Sequence, residues 1–120
     1  MYQLLFKGEI NMNQVKLSLI QKAIDEKKGE NISIYDVDSS SPFFSHIIVV
    51  TSMNKKHSEA IADEVDRVCA SLDEPIKNIE GKNGSDWVLV DAGDILVHIF
   101  TESERIRVNI EQLIKKSIQG

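Results

Sequence analysis

The chain has 120 residues, 42% hydrophobic and 28% charged, with a net charge of −5. That length holds one domain whose core folds without metals, and the single cysteine, Cys69, rules out an internal disulfide. The acidic balance, with lysines scattered as separate pairs (Lys27 and Lys28, Lys55 and Lys56, Lys115 and Lys116), argues against sequence-independent RNA binding, which needs clustered cations; no apolar run approaches the roughly 18 residues of a membrane span.

Residues 1–12 read as an N-terminal extension that has no partner in the later pattern, lacks the basic and apolar regions of a secretory signal, and gives no reason to expect order. Met12 is an alternative start. A single domain is expected over 13–120, cytoplasmic, with Cys69 a buried thiol in a reducing compartment. Asn13 to Lys28 reads as a helix: Leu17, Ile20 and Ile24 fall at helical spacing, Lys27 and Lys28 suit the negative end of its dipole, and Gly29 suits its C-cap. Ile32, Ile34 and Val37 suggest a strand ending at Asp36 to Asp38, and Ser39 to Pro42 a loop. His46 to Thr51, nearly all apolar and β-branched, reads as a strand covered on both faces. Ser52 or Asn54 caps a helix from Lys55 to Leu72, with Ile61, Val65, Val68 and Leu72 as its core stripe. Pro75 blocks its continuation. Ile76 to Glu80 forms a short strand and Gly81 to Ser85 a polar turn. Trp87 to Val90 and Ile95 to Phe100 form a hairpin through Asp91-Ala92-Gly93-Asp94. Glu102 to Ile118 forms a last helix, broken near Val108 and Asn109, with Ile106, Ile110 and Leu113 on one face. The order suits an α/β domain, a single mixed sheet with helices packed on it, with a right-handed crossover if the second and third strands are parallel.

Asp36 and Asp38, two apart on a strand, share a face and can hold Mg²⁺ as in a nucleotidyltransferase. That enzyme also needs an upstream Gly-Ser turn; here Gly29-Glu30 stands too close and lacks the serine, so turn-forming aspartates are the simpler reading. His46, His57 and His98 show no zinc spacing. His98 alternates with Leu96 and Phe100 and reads as a core histidine with one satisfied ring nitrogen, the alternative being a partner contact or proton shuttle. Trp87 reads equally as core packing or as a protruding surface anchor.

The run Asp86-Trp87-Val88-Leu89-Val90-Asp91-Ala92-Gly93-Asp94-Ile95-Leu96-Val97-His98-Ile99-Phe100 resembles the signature of the ribosomal silencing factor (Iojap-related) family. Ala60 to Val65 resembles its central helix, Glu80-Gly81 its Glu-Gly before the Trp strand, and Glu104-Arg105 with Ile110 to Leu113 its C-terminal helix, so that the resemblance spans about 14–114. It implies a nucleotidyltransferase-like fold without the catalytic motif, no enzymatic activity and no cofactor or metal. It also implies binding to the universal large-subunit protein number fourteen, which blocks an intersubunit bridge and subunit joining and represses translation. No direct nucleic-acid specificity is expected, and homodimers occur in the family. The expected contact residues are Trp87, Asp91, Ala92 and Asp94, with Glu80 and Gly81 alongside; Gly93 and His98 are expected to be structural. Where this chain has Ser45-His46 the family often has Asp-Tyr, and aromatics stand in the family at or near Ala92, Val108 and Ile114, so a less adhesive surface is expected here. The alternatives are a Mg-dependent nucleotidyltransferase-like enzyme using Asp36 and Asp38, and a dimeric adaptor for another protein.

Overall fold

A computed structural model describes residues 11–119. The extension read over 1–12 lies outside the described residues except for Asn11 and Met12, the N-cap and the first residue of the first helix. The elements in order are α1 (Met12–Glu26), β1 (Glu30–Asp36), β2 (His46–Ser52), α2 (Lys55–Ser71), β3 (Asn78–Glu80), β4 (Trp87–Asp91), β5 (Ile95–Thr101), α3 (Glu102–Val108) and α4 (Ile110–Gln119). Asparagines start both long helices, satisfying amide groups that have no partner within the helix. The Asn11 side chain accepts from the amides of Asn13 and Gln14, and that of Asn54 from His57. After α1 the left-handed residue is Lys28, at φ 65°, and not Gly29. Gly29 answers a different need: a Cβ there would lie 2.6 Å from Ile24 Cγ2 and 2.7 Å from Val50 Cγ2. Its missing side chain lets the end of α1 lie directly on β2.

The five strands form one sheet in the order β1-β2-β5-β4-β3. Only β2 and β5 pair in parallel; the other three pairings are antiparallel, so the sheet is mixed as expected. The parallel neighbour of β2 is therefore β5, not the next strand in sequence. β3 runs in the same direction as β2, but β5 and β4 lie between them.

One sheet face carries Ile48, Val50, Val88, Val90, Val97 and Ile99 and buries them against Ile20 and Ile24 of α1 and Ile61, Val65 and Cys69 of α2. Fully burying each of these aliphatic side chains is favourable by about 1.5–3 kcal/mol, so this layer holds most of the driving force for folding. The opposite face has a smaller cluster, Val37, Val49, Phe100 and Ile114, with Ile110 packed against it. Asn109 breaks the last helix in a left-handed conformation, φ 49° and ψ 47°. That residue shifts the helical phase. Ile106 and Leu113, expected on one inward face with Ile110, are 74% and 66% exposed, while Ile110 and Ile114 turn onto the sheet. Arg105 pins the two short helices to β1 and β2: its Nε donates to Glu111 Oε1 (2.9 Å), Nη1 to Asn31 O (2.7 Å) and Thr51 Oγ1 (2.9 Å), and Nη2 to Ser33 Oγ (3.2 Å). The same guanidinium holds the Glu111 carboxyl below its usual range.

Candidate functional site, the second face of the sheet

Strand alternation places every second residue of β4 and β5 on the face away from α1 and α2. Cross-strand pairing sorts these residues into three rows. The first is Ile47, Leu96, Asp91 and Asn78; the second is Val49, His98, Leu89 and Glu80; the third is Thr51, Phe100 and Trp87. The β1–β2 end of this face is covered by α4 through Ile110 and Ile114. Toward β4 it opens: Leu89 and Leu96 join neither core cluster and stay half-buried, as does Trp87. Leu89 and Leu96 are candidate site residues that the sequence reading passed over. The signal was present in the alternation of β4, where Val88 and Val90 are buried and Trp87, Leu89 and Asp91, which alternate with them, are not.

Trp87 is neither sealed in the core nor protruding. Its indole lies on Phe100 with ring centroids 5.0 Å apart, and its Nε1–H donates to His98 Nδ1 over 3.1 Å. That bond makes Nδ1 the acceptor, so Nε2 carries the proton of the neutral ring. Burial pushes the His98 pKa down to about 4, which keeps the ring neutral and the acceptor in place at ordinary pH. His98 therefore sets the pose of the indole. Gly81 sets its backbone. At φ 81°, with a Cβ position 2.2 Å from Trp87 O, only glycine fits there, and Ser85 Oγ closes the turn by donating to Trp87 O (3.0 Å) and accepting from Trp87 N (3.1 Å). Glu80 is exposed at the edge of the face and accepts from Asn78 Nδ2 (3.0 Å).

The acidic turn stands at the other end of β4 from Trp87, so the expected contact residues do not form one tight knot. Asp91 Oδ1 accepts from the Gly93 amide (3.0 Å), and Gly93 takes φ 87°, the left-handed state its place in the turn requires. Ala92, expected as a contact, is 1% exposed and belongs to the core beneath α1 and α2. Strand parity explains the correction: Ala92 follows Asp91 and points to the opposite side. One residue with no signal in the local sequence is Lys16 of α1, which reaches this turn from 76 residues away. Its side chain is 5% exposed, and its ammonium donates to Ala92 O and to Glu74 Oε1 (3.0 Å), with Asp94 Oδ1 at 3.6 Å.

Asp36 and Asp38 are not brought together on a strand face. β1 ends at Asp36, whose Oδ1 accepts from the Asp38 amide (3.0 Å) in a turn. Asp36 pairs with His46 at the start of β2, whereas a cleft of about 630 Å³ among Asn54, Lys55, Lys56, Asp86 and Thr101 lies beyond the other end of that strand. The aspartates and the cleft are thus separated by the length of β2. Among the described residues no group of three metal-ligating side chains occurs, and no helix is long and apolar enough to cross a membrane.

A family model described as "Ribosomal silencing factor during starvation" matches residues 10–119. A ribosomal silencing factor from Halalkalibacterium halodurans is 34% identical over 101 residues, covering 84% of this chain and 86% of that protein. A crystal structure of a Chromobacterium violaceum protein superposes with a TM-score of 0.80 at 31% identity, covering 83% of each chain. A more distant relative, named for mitochondrial assembly of the ribosomal large subunit in Mus musculus, is 19% identical over 81% of this chain and 44% of its own length. The matched span takes in every described strand and helix, and the chain belongs to the ribosomal silencing factor family.

Proposed function

We propose that this chain represses translation by occupying the subunit-joining face of the large ribosomal subunit. It docks the open β3–β4–β5 face on the universal large-subunit protein number fourteen and so blocks an intersubunit bridge. The observation that carries this reading is the face itself: Trp87, Leu89 and Leu96 form an apolar strip that no core cluster fully absorbs, bordered by Asp91 and Glu80. Half-exposed aromatic and aliphatic groups within a polar rim are the anatomy of a protein–protein interface. Acidic rim groups fit a basic ribosomal protein and contribute register and association rate more than affinity. The distant relative's name adds a large-subunit connection from the same fold family.

The chain works by steric occupancy in the cytoplasm, without a cofactor. A homodimer is compatible with this mechanism only if its interface lies off the docking face. The test is sedimentation with purified subunits. The protein is expected to pellet with isolated large subunits, not with small ones, and to reduce formation of joined ribosomes when added before mixing. Pelleting with neither subunit at low and moderate salt, or undiminished joining, contradicts the proposal.

A further inference from the structure

Buried ions are poor stabilisers, since the desolvation of a buried ammonium offsets most of what its partners return, and an apolar residue of equal volume commonly serves stability as well or better. Lys16 is such an ion, 4% exposed on a helix face otherwise filled by Ile20, Ala23 and Ile24. Its partners come from two other parts of the chain. Glu74 sits in the loop between α2 and β3. The carbonyl of Ala92 and the carboxylate of Asp94 sit in the turn between β4 and β5. Glu74 and Ala92, together with Pro75 and Gly93, line a pocket of about 460 Å³ with the lysine in its wall. Gly93 leaves just enough room: a Cβ on it would lie 3.3 Å from the Lys16 ammonium.

Compared with an apolar residue, this lysine does two things. It fixes the backbone of the turn through the Ala92 carbonyl, and it satisfies Glu74 and Asp94 from behind, both carboxylates keeping 43% and 47% exposure. Among the described residues no cation meets the carboxylate of Asp91, on the docking face, which accepts from the Gly93 amide of its own turn. The turn begins where Asp91 leaves the face and ends just before Leu96 returns to it, and those two residues are cross-strand partners.

We infer that Lys16 is a positioning residue for ribosome docking: from behind the sheet it holds the β4–β5 turn so that Asp91 and Leu96 present one rigid row to the partner, and it leaves Asp91 rather than Asp94 as the carboxylate available to a partner cation. This inference rests on the docking reading above. Pre-organisation of this kind acts on dissociation, because a mobile rim must be ordered anew in each complex.

The experiment compares Lys16→Met, Lys16→Arg and Trp87→Ala with the parent chain, by surface-immobilised kinetics against purified large subunits. Lys16→Met is expected to dissociate about fivefold faster, with association not slowed, since losing a positive charge makes the rim more attractive to a basic partner. Lys16→Arg is expected to restore dissociation to about twofold of the parent. A merely structural role would instead lower the active fraction and leave the dissociation rate of the bound molecules unchanged. If Lys16→Met loses more than about 10 °C of Tm, Lys16→Leu/Glu74→Leu, which replaces the ion pair by apolar contact, is measured in its place with the same expectation. Parent-like dissociation of the Lys16 variants beside a Trp87→Ala that no longer binds overturns the inference and leaves the docking reading standing. A Trp87→Ala that binds normally overturns both.

Discussion

The bond from the Trp87 indole to His98 Nδ1 exists only while that nitrogen keeps its lone pair. The sign of the pH dependence follows. Burial lowers the folded pKa of His98 to about 4 from its ordinary 6.5, so the folded state disfavours the charged ring. Between those values the unfolded chain binds more protons than the folded one, and stability rises with pH. The contribution is complete above pH 6.5 and is lost as the pH falls to about 4, amounting to at most about 3 kcal/mol. Denaturant titrations of the parent chain and of His98→Gln at pH 7 and pH 4.5 measure it. The parent is expected to lose more stability on acidification than the variant, and equal losses would remove His98 from this role. Trp87 and His98 stand eleven positions apart, and their pairing became legible only once register placed them on neighbouring strands. Their separate readings, core histidine and core-or-surface tryptophan, could be made from local alternation, because burial follows strand parity while partnership does not.

At the level of elements, caps and breaks were legible because they are local chemistry. Asn54 before α2, Pro75 after it, and the interruption at Asn109 act through residues within a turn of where they stand. The consequence of the Asn109 break was not legible, because a single left-handed residue rotates everything that follows. It turned Ile106 and Leu113 outward and brought Ile114 in. Gly29 shows the same limit: a glycine after a helix suggests a cap, whereas here the requirement comes from Ile24 together with Val50, the latter on a strand that begins beyond the next loop. What fixes α3 and α4 in this orientation is Arg105, whose guanidinium meets four groups on β1, β2 and α4. Arg105→Met is expected to destabilise the domain by about 2–4 kcal/mol, since it leaves Glu111 and the strand acceptors short of a donor. Amide exchange of α4 is expected to accelerate well beyond that of α2. Uniform acceleration across both helices would show that the arginine has no special hold on the C-terminal pair.

For the whole molecule, the list of elements pointed to a mixed sheet, but the strand order could not be read from it. Pairing β2 with β5 joins segments on either side of α2, β3 and β4, and nothing in either strand's composition names its neighbour. That order makes the site. It separates β4 from β1 and β2, the end that α4 covers, and leaves Trp87, Leu89 and Leu96 half-buried on that face, while α1 and α2 bury the other side. Ala92, in the turn between β4 and β5, lies in the core and not among the contacts. On the proposed docking mode this strip, and not exposed apolar surface in general, meets the ribosome. Its most direct measurement is the affinity for isolated large subunits of Leu89→Asp and Leu96→Asp, against Ile106→Asp as an apolar-to-acidic change on the exposed side of α3. The first two are expected to weaken binding by about 2 kcal/mol or more with folding retained, and the third to bind like the parent. Loss of binding in Ile106→Asp alone, with both strand variants unaffected, would contradict the account.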